Sequence, residues 1–332
     1  MTSRNVLVTG ATGFTGGHVC RRLADEGMQV RGLVRDPARA ADLARRGVDL
    51  VEGDLRDASS LREATRGIDV VYHIAAMFRE ENVDTDLFRE VNAEGTRRML
   101  EAAEAGGAER FVHCSTVGVH GEIKDPPADE ESPLDPHDHY QRSKLEGERI
   151  AREHGRRSEM EVAVFRPGGI YGPGDTRFLK LFRAIARKRF LMIGSGEVTY
   201  HLVYIDDLVD GILRCGRRPE APGEVFILTG ERPVTLNEFV AAIEEAVGGS
   251  VPNVHVPAAP VYAAATVCEF VCRALGIEPP LYRRRMDFFL KDRAFDISKA
   301  RRELGYDPSV DLEEGVRRTA NWYREQGLLE AD

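Results

Sequence analysis

Thr9-Gly10-Ala11-Thr12-Gly13-Phe14-Thr15-Gly16 follows the apolar run Val6-Leu7-Val8 and opens a helical pattern over residues 16–26. Strand, glycine turn and helix in that order make a cradle for a dinucleotide. Gly10 allows the tight turn, Gly13 lets the backbone approach a pyrophosphate, and Gly16 lets helix and strand pack closely. The pyrophosphate charge is favoured at the helix N-terminus. The spacing is G-x-x-G-x-x-G rather than G-x-G-x-x-G, and the strand–turn–helix setting gives the glycines their meaning. Gly10, Thr12, Gly13, Phe14 and Thr15 are the candidate cofactor-binding residues of this loop.

Outward from the loop, short strand-like runs at 5–9, 29–34, 48–52, 70–74, 111–114 and 162–165 alternate with helical patterns at 16–26, 37–46, 59–65, 85–105 and 140–154. Repeated β-α units predict an α/β fold, a Rossmann-type doubly wound parallel sheet. After residue 165 the alternation loosens. Residues 178–189, 207–217, 236–247, 258–275 and 312–326 read as helices, and 225–228 and 254–256 as strands. The expected organisation is a dinucleotide-binding domain over 1–175, to which 203–230 returns. A smaller, interleaved C-terminal substrate region takes 176–202 and 231–332. The stretch 257–275 is apolar apart from Glu269 and Arg273. Its broad apolar face is expected to pack on the protein's own core rather than on a membrane surface.

The chain has 332 residues, of which 42% are hydrophobic and 30% charged, enough apolar material for a large core. A net charge of −9 argues against a general nucleic-acid binder. Cys20, Cys114, Cys215, Cys268 and Cys272 are scattered and include no Cys-x-x-Cys, so free thiols in a reducing compartment and no metal site are expected. The first strand begins at once and no window is apolar enough to span a bilayer, which points to a cytoplasmic chain without a membrane span.

Tyr140-Gln141-Arg142-Ser143-Lys144 places a phenol and an ammonium four residues apart, on one face of a helix. A free phenol has a pKa of about 10, and moving it to about 7 needs roughly 4 kcal/mol. A cation about 4 Å away at an effective dielectric near 20 supplies on the order of that amount. Lys144 is therefore expected to lower the Tyr140 pKa and make it a general acid/base. Ser115-Thr116 ends a strand in hydroxyls that can orient a substrate oxygen.

Other strand ends fit a cofactor. At Val34-Arg35-Asp36-Pro37 an Arg stands where a 2′-phosphate would lie, favouring NADP(H); Asp36 could instead take a ribose, so NAD(H) stays open. Asp54, followed by Leu55, can accept from an adenine amino group or cap the next helix. After His73, which can equally be a satisfied buried histidine, Ala75 and Ala76 are small enough for backbone to lie along a cofactor. Arg166-Pro167-Gly168-Gly169-Ile170-Tyr171-Gly172-Pro173-Gly174 forms an irregular loop where a nicotinamide could sit, with Pro167, Gly168 and Ile170 as candidate contacts. Asp206-Asp207 reads as capping or structural hydrogen bonding.

Together these residues resemble the extended short-chain dehydrogenase/reductase family of NAD(P)-dependent epimerases, dehydratases, 3β-hydroxysteroid dehydrogenases and dihydroflavonol reductases. The likeness runs from the glycine loop through Tyr140-x-x-x-Lys144 to Leu304-Gly305-Tyr306-x-Pro308. It implies Tyr140 as the acid/base, Lys144 as its activator and nicotinamide-ribose ligand, and Ser115 as a cofactor contact. It further implies Thr116, five residues before Gly121, as the catalytic hydroxyl, and Asn92 as the helix asparagine with a structural or relay role. In nucleotide-sugar epimerases an Arg grips the substrate diphosphate where this chain has Tyr200-His201-Leu202. A second such Arg has Arg283, Arg284 or Arg285 as its candidates. Val117-Gly118 stands where dehydratases carry an acidic pair, which argues against dehydration. The resemblance thus implies an enzyme interconverting a secondary alcohol and a ketone, on a fairly apolar substrate. A nucleotide-sugar epimerase and a non-catalytic NAD(P)-binding regulator are the alternatives. By analogy a homodimer is expected through residues 85–105 and 140–154.

Overall fold

Six runs, five of them largely buried, lie side by side as parallel strands, as the alternation requires. They are β1 (Asn5–Thr9), β2 (Gln29–Val34), β3 (Asp49–Glu52), β4 (Val70–His73), β5 (Arg110–Cys114) and β6 (Glu161–Pro167). The computed structural model describes residues 4–78, 85–249, 251, 254–274, 277 and 283–330. Seven further strands follow: β7 (Gly169–Tyr171), β8 (Met192–Ile193), β9 (Thr199–Tyr200), β10 (Leu202–Tyr204), β11 (Val225–Leu228), β12 (Val234–Thr235) and β13 (His255–Val256). One seven-stranded sheet takes the order β11-β6-β5-β4-β1-β2-β3, all parallel. The pairs β7–β10, β9–β12 and β8–β13 lie outside it.

The chain builds outward from β1 to β3, then returns to lay β4 on the other side of β1. The crevice at the carboxyl ends of β1 and β4 is therefore the topological switch point, where open α/β sheets take their ligands. Alternate residues of β1 feed two cores. Val6 and Val8 pack with α1 (Phe14–Asp25), whereas Leu7 packs with α3 (Ala58–Ala64), which follows the short α2 (Ala41–Arg45). That is the period of two of a strand buried on both faces.

The single helix expected over 85–105 is α4 (Thr85–Arg89), a π-turn (Glu90–Glu94) and α5 (Gly95–Ala105) in unbroken succession. The π-turn inserts Asn92 toward the next helix, α6 (His139–Arg157). Beyond β6 the helices are α7 (Leu179–Ala186), α8 (Ile205–Arg217), which lies against the sheet beside α1, α9 (Leu236–Val247), α10 (Ala258–Ala274), α11 (Arg283–Leu290) and α12 (Leu312–Glu325). The boundaries of α9 follow its chemistry. Thr235 and Glu238 form a capping box at one end, and Gly248 takes the left-handed conformation at the other.

One expectation is corrected. α10 does not bury a broad apolar face in the core. Among the described residues only Ala265, Glu269 and Cys272 are buried along it, a narrow stripe at i, i+4 and i+7, while Val267 and Phe270 are 62% and 77% exposed.

Candidate active site

α6 begins with the Asp138 carboxylate accepting the Gln141 N–H at 2.7 Å. The helix then presents Tyr140, Lys144 and Glu148 at successive four-residue intervals. Tyr140 is half-buried, and its phenol hydrogen-bonds the Thr116 hydroxyl at the end of β5. Thr116 also accepts the Gly118 N–H at 3.1 Å, which fixes its rotamer through the turn 117–120. The Phe78 ring meets the Tyr140 ring edge-on with centroids 4.9 Å apart.

The electrostatics reverse the expected order. Burial pushes the Tyr140 phenol upward, and the Thr116 hydrogen bond opposes this without overcoming it. Lys144 is 2% exposed and its ammonium donates to the Cys114 carbonyl. Burial lowers the Lys144 pKa, while Glu148 one turn on works against that fall. Desolvation is thus the largest influence on Tyr140 and raises its pKa, opposite to the lowering expected from the Tyr140–Lys144 spacing.

Glu148 anchors a buried network behind these residues. Its carboxylate accepts from Ser115 Oγ at 2.6 Å and from Arg166 in a bidentate pair at 2.6 and 3.1 Å. Burial raises its pKa, but the Arg166 and Ser115 hydrogen bonds together leave it lowered. Arg166 reaches on to His120 Nε2 and the Glu130 carbonyl, each at 3.1 Å. The Ser115 hydroxyl is thereby engaged in the core, and Thr116 is the hydroxyl beside Tyr140. Sequence reasoning missed Glu148; the signal was a third polar residue continuing the four-residue interval of Tyr140 and Lys144.

The glycine loop fits a dinucleotide. Gly10 has a φ of +70°, and a Cβ there would lie 2.9 Å from the Ala75 Cα. A Cβ on Gly16 would strike the Gly10 carbonyl, so helix and strand meet backbone to backbone. α1 starts at Gly13 with no side chain capping it, which leaves first-turn N–H groups for an anion. A cleft of about 220 Å³ opens here, its lining including Thr12, Gly13, Arg21, Arg39 and Gly174. Phe14 stacks edge-on with His18 at 5.4 Å, and His18 Nε2 hydrogen-bonds the Pro173 carbonyl at 2.9 Å. This ties the 171–174 loop down onto α1. Gly168 sits where any Cβ would strike the His201 carbonyl, between Pro167 and the strand that carries Ile170.

With strand tips, glycine loop and Tyr140 face in place, comparison with known proteins is direct. The model of the NAD dependent epimerase/dehydratase family matches residues 6–228. The chain belongs to this family. Within it, the chain is an enzyme of the extended short-chain dehydrogenase/reductase group and uses a nicotinamide dinucleotide. It is 30% identical to the Arabidopsis thaliana 3beta-hydroxysteroid-dehydrogenase/decarboxylase isoform 1, over 96% of this chain and 79% of that protein. It is 28% identical to the N-acetyl-alpha-D-glucosaminyl-diphospho-ditrans,octacis-undecaprenol 4-epimerase of Escherichia coli O157:H7, over 96% and 95% of the two chains. The dTDP-glucose 4,6-dehydratase of Streptomyces venezuelae, solved with NAD bound, superposes with a TM-score of 0.76 at 27% identity, covering 97% of each chain.

Set in this family, the remaining predicted residues divide. Asn92 is structural at its position. Its amide donates to Ser143 Oγ at 2.9 Å and to the Met77 carbonyl at 3.0 Å, and its oxygen accepts the Met77 N–H at 2.7 Å. His73 is the satisfied buried histidine, between Thr9 Oγ1 at 3.0 Å and Thr96 Oγ1 at 3.2 Å. Asp207 accepts the Ser309 and Val310 N–H groups at 3.1 Å, pinning the C-terminal segment. Asp54 does not cap α3; Asp57 does, and Asp54 instead grips Arg56. Leu55 is buried against Gly95, Ala75 and Ala76 follow β4, and Arg35 is exposed just past β2. The side chains of Arg283, Arg284 and Arg285 lie outside the described residues.

Proposed function

We propose that the chain is an NAD(P)-dependent dehydrogenase/reductase that interconverts a secondary alcohol and a ketone on a fairly apolar molecule. The observation that carries this reading is the state of residues 200–202. All three are buried, and the Tyr200 hydroxyl donates to the Phe288 carbonyl. His201 is hydrogen-bonded at both ring nitrogens, to the Gly230 carbonyl at 2.9 Å and to the Phe295 N–H at 3.2 Å. The position from which a nucleotide-sugar epimerase would grip a diphosphate is thus filled by groups already satisfied inside the protein. Next to Tyr140 the exposed neighbour is the Phe78 ring, an apolar wall.

A bound nicotinamide supplies or accepts hydride at its C4. The protein's part is to hold the oxygen and move the proton. Thr116 and Tyr140 take the substrate oxygen in paired hydrogen bonds, and Tyr140 gives its phenolic proton as the alcohol forms. Burial favours the protonated phenol, the form that donates in reduction. Oxidation requires the phenolate, so its rate rises with pH while reduction holds level through neutrality. Lys144 carries the nearby positive charge, held in place by the Cys114 carbonyl and steadied by Glu148.

Arg35 supports a preference for NADP(H). Asp36, the rival group, accepts the Ala38 N–H at 3.0 Å and caps the turn 37–40, leaving the cation at the strand tip. Arg35→Ala is expected to weaken NADPH binding about tenfold or more and leave NADH within about threefold. Equal losses for both cofactors, measured by fluorescence titration, would remove the preference.

The reading is tested by following nicotinamide absorbance with a panel of apolar ketones and secondary alcohols. Net oxidation or reduction of the cofactor is expected. The second reading, an epimerase, is favoured by the likeness to the undecaprenol-linked 4-epimerase. It predicts product without net change in absorbance. A homodimer through the outer faces of α4–α5 and α6 is also proposed, and light scattering that shows only monomer would count against it.

A further inference from the structure

A cation stands over the first residue of α1. The guanidinium carbon of Arg177 lies 5.7 Å from the centre of the Phe14 ring. Two side-chain hydrogen bonds hold it there: Nε donates to Asp175 Oδ1 at 2.6 Å, and Nη2 donates to the Ile170 carbonyl at 2.5 Å. The Arg177 backbone N–H donates to the same Asp175 oxygen at 3.2 Å, so the main chain is fixed as well. The Asp175 side chain is 2% exposed and the Arg177 side chain 36%. The carboxylate is a buried anchor, and the guanidinium is its open end, with Nη1 left for a further partner. The loop before Arg177 is seated on the same helix start. A Cβ on Gly174 would lie 3.2 Å from the Phe14 ring, and Gly174 lines the cleft that Thr12 and Gly13 also line.

We propose that Arg177 is a phosphate-binding residue for the nicotinamide dinucleotide, sharing the pyrophosphate with the first-turn N–H groups of α1. Those groups have no side-chain cap, and an anion is favoured beside them. A guanidinium offers a phosphate paired N–H donors in a planar fork. This one is already pinned at Nε and Nη2, so little rotamer freedom is left to lose on binding. It also bridges the two segments that meet the cofactor, the glycine loop at Phe14 and the 167–174 loop at Ile170. Its charge reaches the Tyr140 phenol, where it works against the rise that burial causes, so it belongs to the reacting crevice. A carboxylate on the substrate would offer the same oxyanion chemistry. The phosphate is favoured because Phe14 belongs to the turn that cradles it. The assignment rests on dinucleotide use alone and is independent of which reaction the dinucleotide serves.

Fluorescence titration of the full chain with NADH and NADPH, and competition by ADP-ribose, test it. ADP-ribose carries the pyrophosphate without the nicotinamide and binds without turnover. Removing Arg177 alone would strand the buried Asp175 carboxylate, so the double variant Arg177→Gln, Asp175→Asn is used, with its urea midpoint measured beside it. It is expected to weaken NADH, NADPH and ADP-ribose alike, by about tenfold or more, and to make binding less sensitive to salt. Equal loss for NADH and NADPH sets Arg177 apart from Arg35, whose loss falls on NADPH. Asp175→Asn alone keeps the cation without its counter-charge, and is expected to bind ADP-ribose as tightly as the parent or more so. ADP-ribose affinity within about twofold of the parent in a folded double variant would overturn the assignment. A loss confined to the KM of the substrate would overturn it too, and would make Arg177 a ligand of a substrate anion. So would Asp175→Asn alone losing as much as the double variant, which would reduce the pair to a structural tie.

Discussion

Thr116 and Ser115 are adjacent hydroxyls with different work. Thr116 touches the Tyr140 phenol, whereas Ser115 satisfies a buried carboxylate. The two substitutions should therefore separate. Thr116→Val is expected to lower kcat about a hundredfold with cofactor affinity intact, since one donor to a reacting oxygen is lost. Ser115→Ala is expected to leave kcat within a few-fold and cost about 1–3 kcal/mol of stability, because the Glu148 oxygen loses a partner. The reverse pattern, read by steady-state kinetics and urea denaturation, would exchange their roles. The residue types and their order at this site were legible in the chain. The direction of the Tyr140 pKa was not, because spacing reports a neighbouring charge and says nothing of burial, and here desolvation is the larger effect.

At the scale of elements, α6 joins the reacting face to the sheet through Glu148. Its pair with Arg166 is 1% exposed on both sides. Removing one partner strands the other charge, so Glu148→Ala is expected to cost about 3–5 kcal/mol, seen as a lower urea midpoint. A loss below about 1 kcal/mol would show that the pair does not support the site. The six strands of the first half were readable from their apolar runs, and the turn chemistry placed the loops. Two things were hidden. The π-turn that delivers Asn92 depends on a tertiary hydrogen bond to Ser143, which no local propensity records. The face that α10 buries depends on what it packs against, and an apolar stretch looks the same whether it turns inward or outward.

Across the whole molecule, four buried histidines are held neutral. Burial is the first cause for each; it takes His73 down to about 3, His120 and His201 to about 4, and His113 well below the ordinary value. Their folded pKa values are depressed below the unfolded value of about 6.5, so the unfolded chain binds protons first as pH falls. Stability is full above about pH 6.5 and is lost progressively toward pH 4, by on the order of 2 kcal/mol per histidine at pH 5. Urea midpoints at pH 7, 6 and 5 check this, and a constant midpoint would contradict it. The glycine loop follows β1, and Tyr140, 130 residues on in sequence, meets Thr116 just past β5, two strands away across β4 at the carboxyl ends of the sheet. That Tyr140 moves the proton beside a bound nicotinamide is the central claim. Tyr140→Phe measures it most directly, by turnover and cofactor titration on the same preparation. Turnover should fall about 10²–10⁴-fold with NAD(P)H affinity within about twofold of the parent; turnover retained by that variant would contradict the account.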